Sequence, residues 1–476
     1  MGVRSAAPPL WSLLVASAAW QLCAAPALAN NAFPDSQNIM TPASLSNEIL
    51  LGTNFGMVIS VDGGQTWTWT CEQTQNNFAT LYQLGAPPGN RLFGTSLAGL
   101  IYSNDSSCSW LVARGLAAGS NVSDFFPDPT NADRVLAVVG VTAEAGVVSQ
   151  EVLESADGGA RFGSQPLYTA ASDDIISGIE ISRSTPTTVY LTLTSGSAHT
   201  PKLAQSTNSG GNWQVHDMSA HLPTGTNFIR LIAIDPQNPQ KVFLRIRSLG
   251  DGGTTEAVAV TDDGGATAST PLSFPGGILS AFTRLSNGTI VLGGVVGTTS
   301  VAYTSADGGS TFHAVPTPQP SFRGLSSRGT TLYVVADNET DGYAIGTSTD
   351  SGMTWNPLMG WSNSVYTPIQ AIQSCLMTYC QTDCLNRASA GQWSPEMCSA
   401  TPAPLPVDAG TDARPGGTGV DAGGTAGHGG DAAVPPGGKS GGGCHCGATG
   451  GSPAGGWQIG GLGLALALAF RRRRRR

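Results

Sequence analysis

A turn of the form Ser-x-Asp-x-Gly-x-Thr-Trp recurs seven times along this 476-residue chain, and its period constrains the fold more than any other feature. The fullest copies run from Ser60 through Asp62 and Gly64 to Trp67, and from Ser348 through Asp350 and Gly352 to Trp355. Two more run from Ser155 to Phe162, with Asp157 and Gly159, and from Ser305 to Phe312, with Asp307 and Gly309. Three are weaker. Ser103 to Trp110 keeps Asp105 and Trp110, Ser206 to Trp213 puts Asn208 in place of the acid and keeps Trp213, and Thr261 to Ala268 keeps Asp263 and Gly265. Successive copies begin 43, 52, 51, 55, 44 and 43 residues apart. A near-constant step of this size is that of a toroid built from four-stranded sheets, one per repeat.

Each part of the turn has a physical task. The aspartate can accept hydrogen bonds from backbone N–H groups one or two residues further on, which closes the loop locally. The glycine supplies a positive φ where the chain reverses. The closing aromatic starts the next strand and buries a ring between neighbouring sheets. Short β-rich runs precede the turns, such as Gly56–Ser60, Gly99–Tyr102, Ala257–Val260 and Ser300–Tyr303. Further upstream lie Ile49–Gly52, Val135–Val139, Val189–Leu193, Val242–Ile246, Thr289–Leu292 and Leu332–Val335, and an inner strand such as Phe228–Ile234 precedes several of these. The turns at Asp128-Pro129 and Asp235-Pro236 break pairing and reverse the chain. No segment of this region keeps a helical period, so the expected class is all-β, a seven-bladed β-propeller.

The Ser-x-Asp turn resembles the Asp-box, or bacterial neuraminidase repeat, of sialidase-like and sortilin-like propellers. The resemblance covers roughly residues 35 to 372 and implies that the box aspartates close turns on a rim away from the central channel. Ring closure has two solutions. A C-terminal run, Thr367–Ile372, could complete the first blade, or residues 35 to 45 could supply its inner strand.

The remaining chain divides by composition. Residues 1–29 read as a signal peptide, with Arg4, an apolar stretch from Leu10 to Ala16, and small residues before a cut after Ala29. The propeller then occupies 30–372 and a Cys-rich disulfide cap 373–400. A Gly/Ala/Pro-rich linker, 401–443, cannot bury a core and is expected to be disordered. Residues 444–476 hold Cys444 and Cys446, a short hydrophobic helix between Trp457 and Phe470, and six terminal arginines. This order resembles the C-terminal sorting segment of myxobacterial surface proteins. It implies a transient membrane stop, cut near Cys444 by a rhomboid-like or sortase-like protease, with lipidation of the cysteine and display at the outer membrane.

Once Cys23 and the tail pair are set aside, six cysteines remain, an even number that suits an exported, oxidised protein. A Cys71–Cys108 disulfide between adjacent blades is expected. Cys375, Cys380, Cys384 and Cys398 then form two further pairs, in any of three arrangements. Removing Arg4 and the terminal arginines leaves 16 basic residues against 32 acidic ones, which disfavours a nucleic-acid partner.

Asp-box families include enzymes. Sialidases grip a carboxylate with three arginines and use a Tyr nucleophile assisted by Glu. Here the arginines are scattered (Arg91, Arg114, Arg134, Arg161, Arg183, Arg230, Arg245, Arg247, Arg284, Arg323 and Arg328) and read as solvated strand and turn residues. The double-propeller xyloglucanase type takes one catalytic Asp from each of two rings, and this chain has one ring. No catalytic residue, metal site or cofactor is expected. The expectation is a monomeric, surface-anchored binding module for a protein or glycan, with its binding face at the loops Ala143–Gly146 and Ser248–Gly253. A glycoside hydrolase is the alternative.

Overall fold

The computed structural model describes residues 36–399, apart from 76–78, 117–119, 143–147, 251–252, 317, 362–368, 370 and 392–393. The expected signal peptide with Ala29, the expected 401–443 linker, and the C-terminal segment with Cys444 and Cys446 lie outside the described residues. Seven antiparallel sheets follow one another along the chain, one per repeat, making a seven-bladed propeller. The inner strands, in blade order, are Ser36–Met40, Ala79–Leu84, Val122–Pro127, Asp174–Ile181, Thr226–Ile234, Gly277–Arg284 and Gly324–Arg328. Second strands such as Ile49–Thr53 are buried along their whole length. That is why they read as unbroken apolar runs, since both faces of a middle strand meet a neighbouring blade. The hydrophobic clusters accordingly sit between blades. Leu136, Val138 and Val152 of blade 3 pack against Ile179, Leu191 and Ala204 of blade 4, for example.

The repeat turn closes through a fixed set of hydrogen bonds. In blade 1, Ser60 Oγ donates to Asp62 Oδ1 (2.9 Å) and accepts from Gly64 N (2.8 Å). Asp62 also accepts from Gln65 N (3.0 Å) and Thr66 N (2.9 Å), so it reaches three and four residues ahead rather than one or two. The serine takes a donor that the sequence reading gave to the acid. Asn208 makes the same bond to Asn212 N at 2.8 Å, so a neutral amide serves equally as acceptor. The glycine has a second reason to be there. At Gly309 (φ +87°) a Cβ would stand 2.5 Å from Phe243 of the preceding blade. Each turn thus seats against the blade before it. Of the closing aromatics, Trp67 and Phe162 are fully buried, while Trp110, Trp213, Phe312 and Trp355 are half-buried.

Residues 36–40 supply the inner strand of blade 1, so the second closure solution holds. The C-terminal run enters the same sheet at its opposite edge. Ala371–Ile372 pairs parallel with Thr68–Cys71 and makes a fifth, outermost strand. Both ends of the ring therefore meet in one blade. The cap follows at once, as a 3-10 turn Ser374–Leu376, a helix Met377–Ser389 and a second 3-10 turn Pro395–Cys398. Its Cys380, Cys384 and Met397 join Phe55, Trp67 and Trp69 of blade 1, Met359 of blade 7 and Trp361 just after it in one apolar cluster over the closing seam.

The expected Cys71–Cys108 pairing is corrected. Cys71 bonds Cys380, Cys108 bonds Cys375, and only Cys384–Cys398 lies within the cap. The neighbourhood was right, since Thr70 Oγ1 and Ser107 Oγ are 2.9 Å apart. The cap docks on this junction of blades 1 and 2 and takes a sulfur from each. Cys71–Cys380 spans 309 residues. On the chain-entropy account a loop of that length stabilises by about 6 kcal/mol.

Candidate binding site in the central channel

Every inner strand presents an edge that no strand pairs, and bare backbone groups there need partners. Side chains supply at least one clasp at each of the seven seams. Asn38 Nδ2 donates to Tyr82 O (2.9 Å), and Gln83 Nε2 to Phe125 O (2.7 Å). Asp124 accepts from Ile179 N (3.2 Å), Glu180 from Ile234 N (3.1 Å) and Glu256 from Leu279 N (2.8 Å). Thr283 Oγ1 donates to Ser327 Oγ (3.2 Å), and Thr41 Oγ1 meets Ser326 Oγ (2.7 Å) across the closing seam. Three of these seven clasps are carboxylates, all between blades 3 and 6.

Two of these carboxyls, Asp124 and Glu180, are perturbed. Burial pushes Asp124 up to about 6, against the opposing pull of the Arg230 charge and the Ile179 and Phe125 N–H groups. Burial pushes Glu180 up to about 7, opposed by the Ile234 N–H, and the neighbouring Asp124 charge adds to the rise. Loss of water is the dominant cause in both.

Two guanidinium groups face this set. Arg230, on the inner strand of blade 5, stands opposite Arg245 on the second strand. Arg245 is held bidentately by Glu256, at 2.9 and 2.5 Å. Arg230 reaches over blade 4 to Asp124 of blade 3, with 3.9 Å between Nη2 and Oδ2, and its side chain stays 39% exposed. Both arginines line a cavity of about 260 Å³ whose far wall is Leu279, Ser280 and Phe282 of blade 6. One loosely paired, partly exposed guanidinium beside a firmly paired one can receive an anionic oxygen.

Of the other arginines, Arg114, Arg161, Arg183 and Arg247 are exposed, as expected, while five are engaged elsewhere. Arg134 bridges Asp128 and Glu154, Arg284 pairs with Asp235, and Arg323 pairs with Asp337. Arg91 holds Asn104 and stacks on Tyr102, and Arg328 bonds the carbonyl of Glu48. Asp62, Asp105, Asp157, Asp263, Asp307 and Asp350 all close their own turns. Sequence reasoning named Arg230 and Arg245 only among eleven arginines and missed Asp124, Glu180 and Glu256. The one local signal was an acid or arginine inside otherwise apolar strands. Of the two loops expected to bind, 143–147 and 251–252 lie outside the described residues. The strand carrying Arg245 ends at Gly250, beside the second loop, where Leu249 is 61% exposed.

The fold and this channel define an all-β seven-bladed propeller. Among the described residues, three disulfides point to an extracellular protein, and no helix is long and apolar enough to cross a membrane. No protein-family model matches the chain, and no curated protein matches its sequence. Solved propellers do match. YCF48 bound to a D1 peptide is 16% identical, with a TM-score of 0.34, over 52% of this chain and 69% of that one. A GH74 enzyme of Niastella koreensis is 14% identical, with a TM-score of 0.37, over 67% of this chain and 65% of the enzyme. A Hadza microbial sialidase is 13% identical, with a TM-score of 0.35, over 56% of this chain and 65% of the sialidase. This chain thus spans just under two thirds of the length of those two enzymes. The likeness is one of fold.

Proposed function

We propose that this chain is an exported Asp-box propeller, displayed at the cell surface by its C-terminal segment, that binds a protein or glycan partner without turning it over. The partner presents an anionic group to Arg230 and Arg245, and the strand end at Ser248–Gly250 adds contact area. One observation carries the reading. The carboxyls Asp124 and Glu180 on inner strands and Glu256 on a third strand each accept a backbone N–H from the next blade, so they serve as seam clasps and are not poised over an open cleft. The guanidinium cavity beside them is the part of the channel with binding capacity left.

A second reading has its own support. Asp124 and Glu180 are neighbouring carboxyls raised toward neutrality, the condition of a general acid in glycoside hydrolysis. Purified protein assayed on fluorogenic glycosides, sialosides included, separates the two. Turnover that vanishes in Glu180→Gln would establish the hydrolase. No turnover, with binding to surface glycans or proteins that is lost in Arg230→Ala, would establish the binding module. Intact mass of the protein from a native membrane fraction tests the anchoring. Cleavage after Ala29 and near Cys444, with an added acyl mass, is the expected result.

A further inference from the structure

The three disulfides occupy two environments. Cys71, Cys380, Cys384 and Cys398 are at most 1% exposed. Cys375 is exposed and Cys108 half-buried, so the bond between them is the one that solvent reaches. Its position is also distinctive. Cys108 lies in the blade 2 turn, the one repeat in which Ser107 stands at the glycine position with φ +71°. Ser107 Oγ accepts from Trp110 Nε1 (3.0 Å) and Gln75 Nε2 (3.5 Å) and meets Thr70 Oγ1 of blade 1. The cap itself has independent fastenings to blade 1. Cys71–Cys380 joins them covalently, and Arg387, 6% exposed, reaches Glu72 at 3.5 Å and lies over the Phe55 ring at 5.2 Å. Gln373 N adds a bond to Trp69 O at 2.8 Å. Opening Cys108–Cys375 would therefore release the blade 2 turn from the cap and leave the cap seated on blade 1.

We propose that Cys108–Cys375 is a thiol-sensitive latch, opened by an external dithiol, either small or carried by a reductase, while the two buried disulfides stay closed. In the reaction a thiolate of the dithiol attacks one sulfur and forms a mixed disulfide. The second thiol then displaces it. The dithiol is oxidised to its disulfide, and Cys108 and Cys375 leave as two thiols, having taken up two electrons and two protons. The opened edge is the short outer strand of blade 2, Leu111–Val112, whose side chains are already 53% and 43% exposed.

The test titrates the full chain with dithiothreitol under native conditions, quenches with iodoacetamide and maps the peptides. Cys23, Cys444 and Cys446 fall in separate peptides and are counted apart. Cys108 and Cys375 should be alkylated at least about tenfold faster than the four buried cysteines. Amide exchange should rise across 103–112 and 374–376 and stay slow across 377–389. Simultaneous opening of all three bonds, or earlier opening of Cys384–Cys398, would overturn the proposal. A Cys108→Ser/Cys375→Ser protein supplies the second reading. It should fold, keep the melting temperature of the ring and show the same local exchange. A cooperative loss of the whole ring in that variant would make the bond a structural staple and end the latch.

Discussion

The rim turns and the channel wall use the same residue type in opposite ways. At the rim, Thr354 and Ser348 hydrogen bonds hold Asp350 down to about 2, with only slight burial opposing them. At Asp263 burial pulls upward, and the Thr267 and Thr261 hydrogen bonds overcome it to bring the carboxyl to about 2. In the channel, Asp124 and Glu180 rise to about 6 and about 7 because burial outweighs the few donors they gain. A carboxylate with three or four local donors and access to water keeps its charge. One that accepts a single N–H across a seam, away from water, gives its charge up more readily. The rim is thus locally self-sufficient, while the channel wall holds blades together at an electrostatic cost.

The largest expected effect tests whether the rim needs more than its own hydrogen bonds. Trp67 is fully buried, and its indole N–H donates to Gly64 O at 3.1 Å. Trp67→Ala should cost about 3–5 kcal/mol in urea unfolding, because the turn's anchor lies in the core of the seam. A cost under about 1 kcal/mol would mean the hydrogen bonds suffice.

Glu180→Gln comes next. The amide oxygen can still accept from Ile234 N, and no charge is buried. A gain of about 1–3 kcal/mol is expected at pH 8, with little change at pH 5. Destabilisation at both pH values would show that the charge itself fastens the seam.

The pH profile of the unmodified ring follows from the two directions. Glu180 and Asp124 have raised folded-state values, so stability rises as pH falls through about 7 and 6 toward their ordinary values near 4. Asp263 and Asp350 have depressed values, so their contribution is present above about 4 and is lost as pH falls toward 2. Urea midpoints should therefore peak near pH 4–5. A midpoint that climbs steadily to pH 8 would contradict the channel half of the comparison.

Smaller effects isolate single turns. Asp350→Ala should cost about 1 kcal/mol at pH 7 and clearly less at pH 2, where about half of the wild-type carboxyl is protonated. Ser107→Gly should change stability by less than about 0.5 kcal/mol, since relief at a positive φ offsets lost bonds to Thr70 and Trp110. A cost above 1 kcal/mol would show that Ser107 is a main fastening of blades 1 and 2.

How much was legible in the sequence follows the same division. Seven rim turns, their strands and the Asp-Pro reversals at Asp128 and Asp235 were all readable, because each closes within about five residues. The closing strand at 36–40 was readable only as one of two options, since pairing across the ring joins residues far apart in sequence. The seam clasps were not readable at all. Asn38 meets Tyr82, Asp124 meets Ile179 and Thr41 meets Ser326, and no spacing rule links those positions. The same holds for the arginine cavity, where only cross-strand register sets Arg230 against Arg245.

By itself, then, the chain determined an all-β ring of seven units, because a hairpin turn satisfied by its own side chains depends on neighbours a few residues away. Tertiary structure decided which sulfurs join, which end closes the ring and which carboxyls lose their water. Those outcomes depend on what the fold sets beside each group, as when the returning cap takes Cys71 and Cys108 each for itself.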